Sequence, residues 1–171
     1  MRGTWKTWKV RLAAAAGAAA VTGAAVASPA VAAGPATERQ LGTAGLVQWC
    51  AGKFDEAQRH DMESFRDFDR AGWEAGHDDD AIAIYSGGQV VQGREAIGES
   101  QRNHFNNRNA TWTWTEKTRA VDGCSTATIV YDATYAIPSQ GFVLRQIISV
   151  TYTFKHGKWL SVIDQGTAIP A

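Results

Sequence analysis

The sequence has only two cysteines, no surplus of basic residues and, after its first 33 residues, no long apolar run. Without a basic surplus the chain cannot replace the counterions of a phosphate backbone, so we expect no nucleic-acid partner. The cysteine spacing is not that of a zinc site. Phosphate-binding glycine loops, nucleophile elbows and histidine clusters are also missing. We therefore expect neither a metal nor another cofactor.

The first 33 residues have the features of a secretory signal peptide. A basic start precedes an apolar, alanine-rich core from Leu12 to Val26, and small residues follow up to Ala33. The alternative, a membrane anchor, fits less well because the apolar run is short and rich in alanine. Removing residues 1–33 leaves 13 basic and 17 acidic residues, a net charge of about −4. We predict a secreted, extracellular chain without a membrane span after cleavage.

Cys50 and Cys124 both lie outside the predicted signal peptide. An even number of cysteines in an exported chain favours one disulfide, with two free buried thiols as the alternative. We place a flexible leader at residues 34–52 and a single domain at residues 53–168.

Hydrophobic periodicity divides the domain into helices followed by strands. A three- and four-residue period indicates helices at 54–68, 67–76 and 95–106, and a short hairpin lies at 81–91. From residue 110 the period is two, with turn residues at 122–123, 139–141 and 156–157. This predicts four long strands at 110–121, 126–138, 142–155 and 158–167. The order predicts an α+β fold with about three N-terminal helices packed on one face of a curved antiparallel sheet.

Three short motifs support a more specific interpretation. They are Asp79-Asp80-Ala81, the Gly93-Arg94-Glu95-Ala96-Ile97 run that follows Gly88, and His156-Gly157-Lys158-Trp159. With the order of elements, they resemble the SnoaL-like branch of the nuclear transport factor 2-like superfamily over residues 54–167. The resemblance implies a cone-shaped sheet whose concave face and helices enclose a pocket. Relatives include enzymes and binding modules, so it leaves the function open.

Strand alternation gives a set of candidate pocket residues. We predict that substrate contacts come from Tyr131, Tyr135, Gln146, Tyr152, Gln165 and Trp112. The alternative for each tyrosine is a core side chain whose hydroxyl is tied off by a neighbour.

The candidate catalytic residues are Asp164, His60 and Asp61. The resemblance implies an acidic residue or a histidine near the end of the last strand, where a carboxyl group in an apolar pocket can move protons. Alternation places Gln165 inside the pocket and Asp164 outside, although a bulge would exchange them. His60 and Asp61 point about 100° apart on a helix, so both cannot face one pocket. The alternative to a catalytic role for His60 is an exposed position on the helix surface.

Three functions are compatible with these residues. The first is a binding protein whose conical pocket holds a small, largely apolar molecule. The second is a cofactor-free isomerase, dehydratase, hydrolase or cyclase that uses acid–base residues in the pocket. The third is a non-catalytic module that pairs with a second copy of itself through the outer face of the sheet.

Overall fold

The computed structural model describes residues 36–170, so the predicted signal peptide lies outside the described residues. It has an α+β fold, as predicted, with a six-stranded, mostly antiparallel, curved sheet. The helices are α1 (Ala36–Arg66), α2 (Arg70–Ala75), α3 (Arg94–Ser100) and α4 (Arg102–Asn106). The strands are β1 (His77–Ile84), β2 (Val90–Gln92), β3 (Thr111–Asp122), β4 (Thr126–Ile137), β5 (Phe142–Lys155) and β6 (Lys158–Ala168).

The sheet order is β2-β1-β6-β5-β4-β3. The three long hairpins from β3 to β6 pair antiparallel, and only β1 with β6 is parallel. The turns at 122–123, 139–141 and 156–157 lie where the sequence predicted them. Strand β1 begins at His77, before the predicted start at residue 81, and both His77 and Asp78 are buried.

The first helix is longer than the sequence indicated. It begins at Ala36 and includes most of the segment that we predicted to be a flexible leader. Glycines at 42, 45 and 52 favoured a loop, since each costs a helix about 1 kcal/mol relative to alanine. From Cys50 onward the helix packs against the sheet, which offsets that cost. Cys50 forms the predicted disulfide with Cys124, and the Trp159 indole N–H donates to the Cys50 carbonyl over 2.9 Å.

The predicted third helix is divided in two. Gln101 has φ −92° and ψ 6° and separates α3 from α4, so the chain changes direction in front of the pocket. Ile97 and Phe105, one on each piece, are both buried against Trp73 of α2 and Ala83 of β1. A second apolar cluster packs α1 against the inner sheet face through residues such as Phe54, Met62, Ile129 and Val150.

A bulge in β6 decides which residues face the helices. Thr151 pairs with Ile163 while Tyr152 pairs with Ser161, so Val162 has no partner on β5. Trp159 and Ser161 are buried before the bulge; after it Asp164 and Gly166 face inward, and Gln165 is exposed. The extra residue therefore reverses the alternation that the sequence predicted.

Candidate functional site

A cavity of about 380 Å³ lies between the helices and the inner face of the sheet. Its walls are mostly apolar and aromatic. The six aromatic residues that line it are Phe65, Trp73, Tyr85, Trp112, Tyr135 and Phe142. Eight polar residues complete the lining: Asp61, Ser86, Ser100, Gln101, Asn103, His104, Gln146 and Asp164. An apolar cavity with a small number of polar groups is the usual form of a small-molecule site.

Asp164 is the most perturbed acid in the cavity. Its carboxyl group has no lysine or arginine partner among the described residues. Burial raises the pKa of Asp164 from 3.8 to about 7, and the negative charge of Asp61 contributes to the same shift. A group with this pKa is present in both protonation states at neutral pH, so it can accept or donate a proton.

Asp61 is the second carboxyl group in the cavity wall and is only 4 % exposed. The Tyr152 hydroxyl donates to Asp61 Oδ2 over 2.6 Å, which fixes the orientation of the carboxylate. Burial raises the pKa of Tyr152 well above 10, with the charge of Asp61 as a further cause. Tyr152 therefore stays protonated and remains a donor.

His104 forms a polar point in the wall supplied by α4. Its Nε2–H donates to the Phe65 carbonyl over 2.7 Å, and its ring stacks on the Phe65 ring at 3.8 Å. With Nε2 protonated, Nδ1 of the neutral ring accepts from the Tyr135 hydroxyl at 3.3 Å. Burial lowers the pKa of His104 below 6.5, so the ring is neutral at pH 7. The structure therefore places a buried, neutral ring in α4.

The structure brings together five of the sequence-predicted site residues. Asp61, Trp112, Tyr135, Gln146 and Asp164 all line the cavity. The alternation predicted that Asp164 points away from the pocket. This prediction is wrong, because the bulge in β6 turns Asp164 inward. Gln146 also depends on a neighbour, because a Cβ at Gly166 would lie 2.8 Å from Gln146 Oε1. Glycine at 166 leaves room for the amide beside the cavity.

Four predicted residues lie elsewhere. Gln165 is exposed on the other face of β6, and His60 is exposed on α1. Tyr131 and Tyr152 are buried on the inner sheet face but are covered by α1. Their hydroxyls donate to Gln58 Oε1 and Asp61 Oδ2, respectively, both over 2.6 Å. These tyrosines are therefore core residues with satisfied hydroxyls, the alternative that the sequence analysis gave for them.

Sequence reasoning missed the polar rim formed by Tyr85 and Ser100. The Tyr85 hydroxyl and Ser100 Oγ lie 2.5 Å apart, and Ser100 Oγ donates to the Ile97 carbonyl over 2.7 Å. Tyr85 follows β1 directly, and the only available signal was its place at the end of a predicted strand. Ser100 could not be assigned because the break at Gln101 was not predicted.

Two of the three aspartates at 78–80 form ion pairs. Asp78 accepts from Lys155 Nζ over 2.7 Å, and Asp79 pairs with Arg94 at 2.6 Å. Within residues 36–170, no three His, Cys, Asp or Glu side chains lie close enough to hold a metal ion. No helix in the described part of the chain is long and apolar enough to span a membrane.

Comparisons with known proteins bear on the fold. No protein-family model and no curated protein matches the chain. Among solved structures, an NTF-2-like protein of unknown function from Shewanella oneidensis superposes with a TM-score of 0.59 at 10% identity, covering 68% of this chain and 98% of that one. An NTF2-like protein of unknown function from Pseudomonas putida gives 0.60 at 15% identity, covering 70% and 87%.

A third solved structure has a more specific name. A ketosteroid isomerase-like protein from Erwinia carotovora atroseptica superposes with a TM-score of 0.56 at 14% identity, covering 68% of this chain and 94% of that one. At these identities the likeness concerns the fold alone. Together with the curved sheet and the enclosed cavity, it shows that the chain has the nuclear transport factor 2-like fold.

Proposed function

We propose that this chain is a cofactor-independent enzyme that moves a proton on a small, largely apolar molecule held in the cavity. One observation carries the proposal: Asp164 lines a largely apolar cavity together with Asp61, and burial there raises its pKa to about 7. Acid–base catalysis is most effective when the pKa of the catalytic group is close to the working pH. A pocket used only for binding has no need of a half-buried carboxyl group without a cationic partner, which is costly to fold.

Three groups in the cavity wall, Asp164, Asp61 and Tyr135, have roles in this proposal. Asp164 takes a proton from the substrate and returns it at another position. Burial, with the charge of the Tyr152-oriented Asp61 as a second cause, keeps Asp164 partly protonated at neutral pH. The Tyr135 hydroxyl donates to His104 Nδ1 over a long 3.3 Å, and its proton can turn from this weak bond to an oxygen on which charge develops. The ketosteroid isomerase-like name of one similar structure supports proton transfer as the reaction class.

Binding without turnover is the second candidate function. The aromatic walls support it equally, because they suit any apolar ligand. Its other sequence-based support was a non-titrating Gln165 at the end of the pocket, and that residue is exposed outside the cavity. Pairing of two copies through the outer sheet face stays a prediction and does not exclude either function.

A generic proton-transfer probe tests the enzyme proposal without knowledge of the substrate. In 5-nitrobenzisoxazole a base removes the ring C–H proton, the N–O bond breaks, and a coloured cyanonitrophenolate forms. We expect the chain to accelerate this elimination with an apparent pKa near 7. Because one base carries the reaction, Asp164→Asn should reduce the rate by at least about 100-fold.

A matched variant controls for charge and folding. Asp132→Asn removes a half-buried carboxylate from the outer face of the same sheet, where Asp132 lies 3.8 Å from Arg145, and should leave the rate unchanged. If the probe binds but reacts no faster than in buffer, or reacts equally in Asp164→Asn, the enzyme proposal is wrong and binding without turnover takes its place.

Export and the SnoaL-like branch are further parts of the proposal. The disulfide between Cys50 and Cys124 supports maturation in an oxidising compartment, which agrees with secretion after cleavage of residues 1–33. The Gly93-Arg94 helix start and the His156-Gly157 turn support the branch assignment.

A further inference from the structure

The cavity contains negative charge and nothing to balance it. The titratable residues that line it are Asp61 on α1, Tyr85 after β1, His104 on α4, Tyr135 on β4 and Asp164 on β6. No lysine or arginine lines the cavity among the described residues. His104 adds no positive charge at pH 7, because burial lowers its pKa below 6.5 and outweighs the opposite effect of its hydrogen bond to the Phe65 carbonyl.

Basic residues near the cavity do not pair with Asp61 or Asp164 either, among the described residues. Three arginines adjoin cavity residues in the sequence, and each lies near a carboxylate outside the cavity. Arg66 pairs with Asp67 at 2.7 Å, Arg102 pairs with Glu99 at 2.8 Å, and Arg145 lies 3.8 Å from Asp132. A cation that enters the cavity would therefore meet carboxylates without competition from the protein's own basic residues.

The walls add a second attraction for a cation. Six aromatic rings line the cavity, and three of them belong to tryptophan or phenylalanine residues that are largely buried: Trp73, Trp112 and Phe65. The negative faces of aromatic rings attract ammonium groups, most strongly where water is excluded. Aromatic walls that also carry carboxyl groups suit organic ammonium ions.

These observations narrow the class of ligand. Resting on the function proposed above, we infer that the molecule taken by this cavity is an apolar ring compound that carries a basic nitrogen, bound as its ammonium ion beside Asp61 and Asp164. An anionic ligand is disfavoured, because its charge would be repelled by two carboxyl groups in an enclosed space. A neutral isostere fits the walls but gains nothing from the carboxylates.

Proton linkage gives this inference a distinct signature. An ammonium ion favours ionised Asp164, so binding releases a proton and the affinity increases as the pH rises through 7. A neutral ligand that only excludes water favours protonated Asp164, so its binding takes up a proton and its affinity falls over the same interval. The two classes of ligand thus differ in the direction of proton exchange on binding, and not only in affinity.

Three compounds of one shape test the inference by calorimetry: 2-naphthylmethylamine, 2-naphthylmethanol and 2-naphthoate. We expect the amine to bind the chain at least about tenfold more tightly than the alcohol at pH 8, and the carboxylate to bind most weakly. Between pH 8 and pH 6 the affinity for the amine should fall about tenfold, with proton release on binding. Asp164→Asn should abolish this pH dependence, and Asp132→Asn should retain it.

The outcomes separate the inference from the proposed function. If the amine binds no more tightly than the alcohol, or its binding takes up a proton, the inference is wrong. Asp164-dependent elimination of 5-nitrobenzisoxazole would then still support the enzyme. If the amine is preferred and Asp164-dependent, but the elimination is not accelerated, the ligand class stands and the enzyme proposal fails.

Discussion

Asp164 is both the base that we propose for catalysis and a residue whose ionisation destabilises the folded protein. Its carboxyl group is enclosed without a cationic partner, so the folded protein favours the protonated form and the pKa is about 7 instead of 3.8. The folded state then binds more protons than the unfolded state between about pH 4 and pH 7. Stability from this group is complete at the low end of that interval and falls as the pH rises through it. At about 1.4 kcal/mol for each unit, the loss is about 4 kcal/mol.

Asp164→Asn removes this pH dependence while nearly conserving the volume of the side chain. We expect the free energy of unfolding of the variant, relative to the original chain, to increase by up to about 4 kcal/mol between pH 4 and pH 8. Urea unfolding of both proteins at the two pH values measures the difference. A constant difference would mean that Asp164 ionises normally in the folded protein, and Asp132→Asn provides the reference for an outer-face carboxylate.

Which residues reach the cavity could be predicted only in part. Asp164 was a candidate because it lies near the end of the last strand, but its orientation depends on Val162, whose bulge leaves no signal in the alternation. Tyr131 and Tyr152 do face inward as the alternation indicated. Their isolation from the cavity could not be predicted, because it depends on where α1 crosses the sheet and where Gln58 and Asp61 lie.

Among the elements, the long hairpins were predicted best. Their alternation extends over ten or more residues, and glycine-containing turns divide them, so β3 to β6 lie within a residue of the predicted bounds. Helices were predicted less well. Because of its glycines, the N-terminal half of α1 was predicted to be a flexible leader. The disulfide at Cys50 holds this half to the sheet. The break at Gln101 is imposed by packing of Ile97 and Phe105 and not by a local breaker.

The β5–β6 turn offers a test at this scale. His156 and Gly157 are the two central residues of the hairpin loop, with φ of 52° and 80°. Asparagine tolerates the left-handed region better than histidine, and Asn-Gly is the preferred pair in such turns. We expect His156→Asn to raise the free energy of unfolding by up to about 1 kcal/mol, measured by thermal unfolding. His156→Ala should give no gain; equal stabilisation by both variants would contradict the backbone explanation.

In the whole molecule, one covalent link joins the first helix to the far end of the sheet. Cys50 is fully buried in α1, and Cys124 lies in the turn between β3 and β4, 74 residues away. This link and the hydrogen bond from Trp159 to Cys50 hold α1 over the concave face. Since α1 supplies Asp61, the geometry of the carboxyl pair depends on the same attachment. The even cysteine count predicted the link, whereas its effect on the cavity needed the fold.

Reduction of the disulfide should therefore reduce stability strongly. For a closed loop of this length, the loss of chain entropy in the unfolded state corresponds to about 3–5 kcal/mol. Urea unfolding of the same chain with and without a thiol reductant measures this without a substitution, and Cys50→Ala with Cys124→Ala should match the reduced chain. An unchanged midpoint would show that noncovalent packing alone holds α1 in place.

The most direct test of the account is the protonation of Asp164 itself. In a carbon-13 NMR titration of the aspartate carboxyl groups, with Asp164→Asn used to assign the signal, we predict an apparent pKa of about 7. A cavity acid with this value supports both proton transfer and the linkage expected for an ammonium ligand. A value near 3.9, the ordinary value for aspartate, would mean that Asp164 is ionised and solvated, and the central claim would be contradicted.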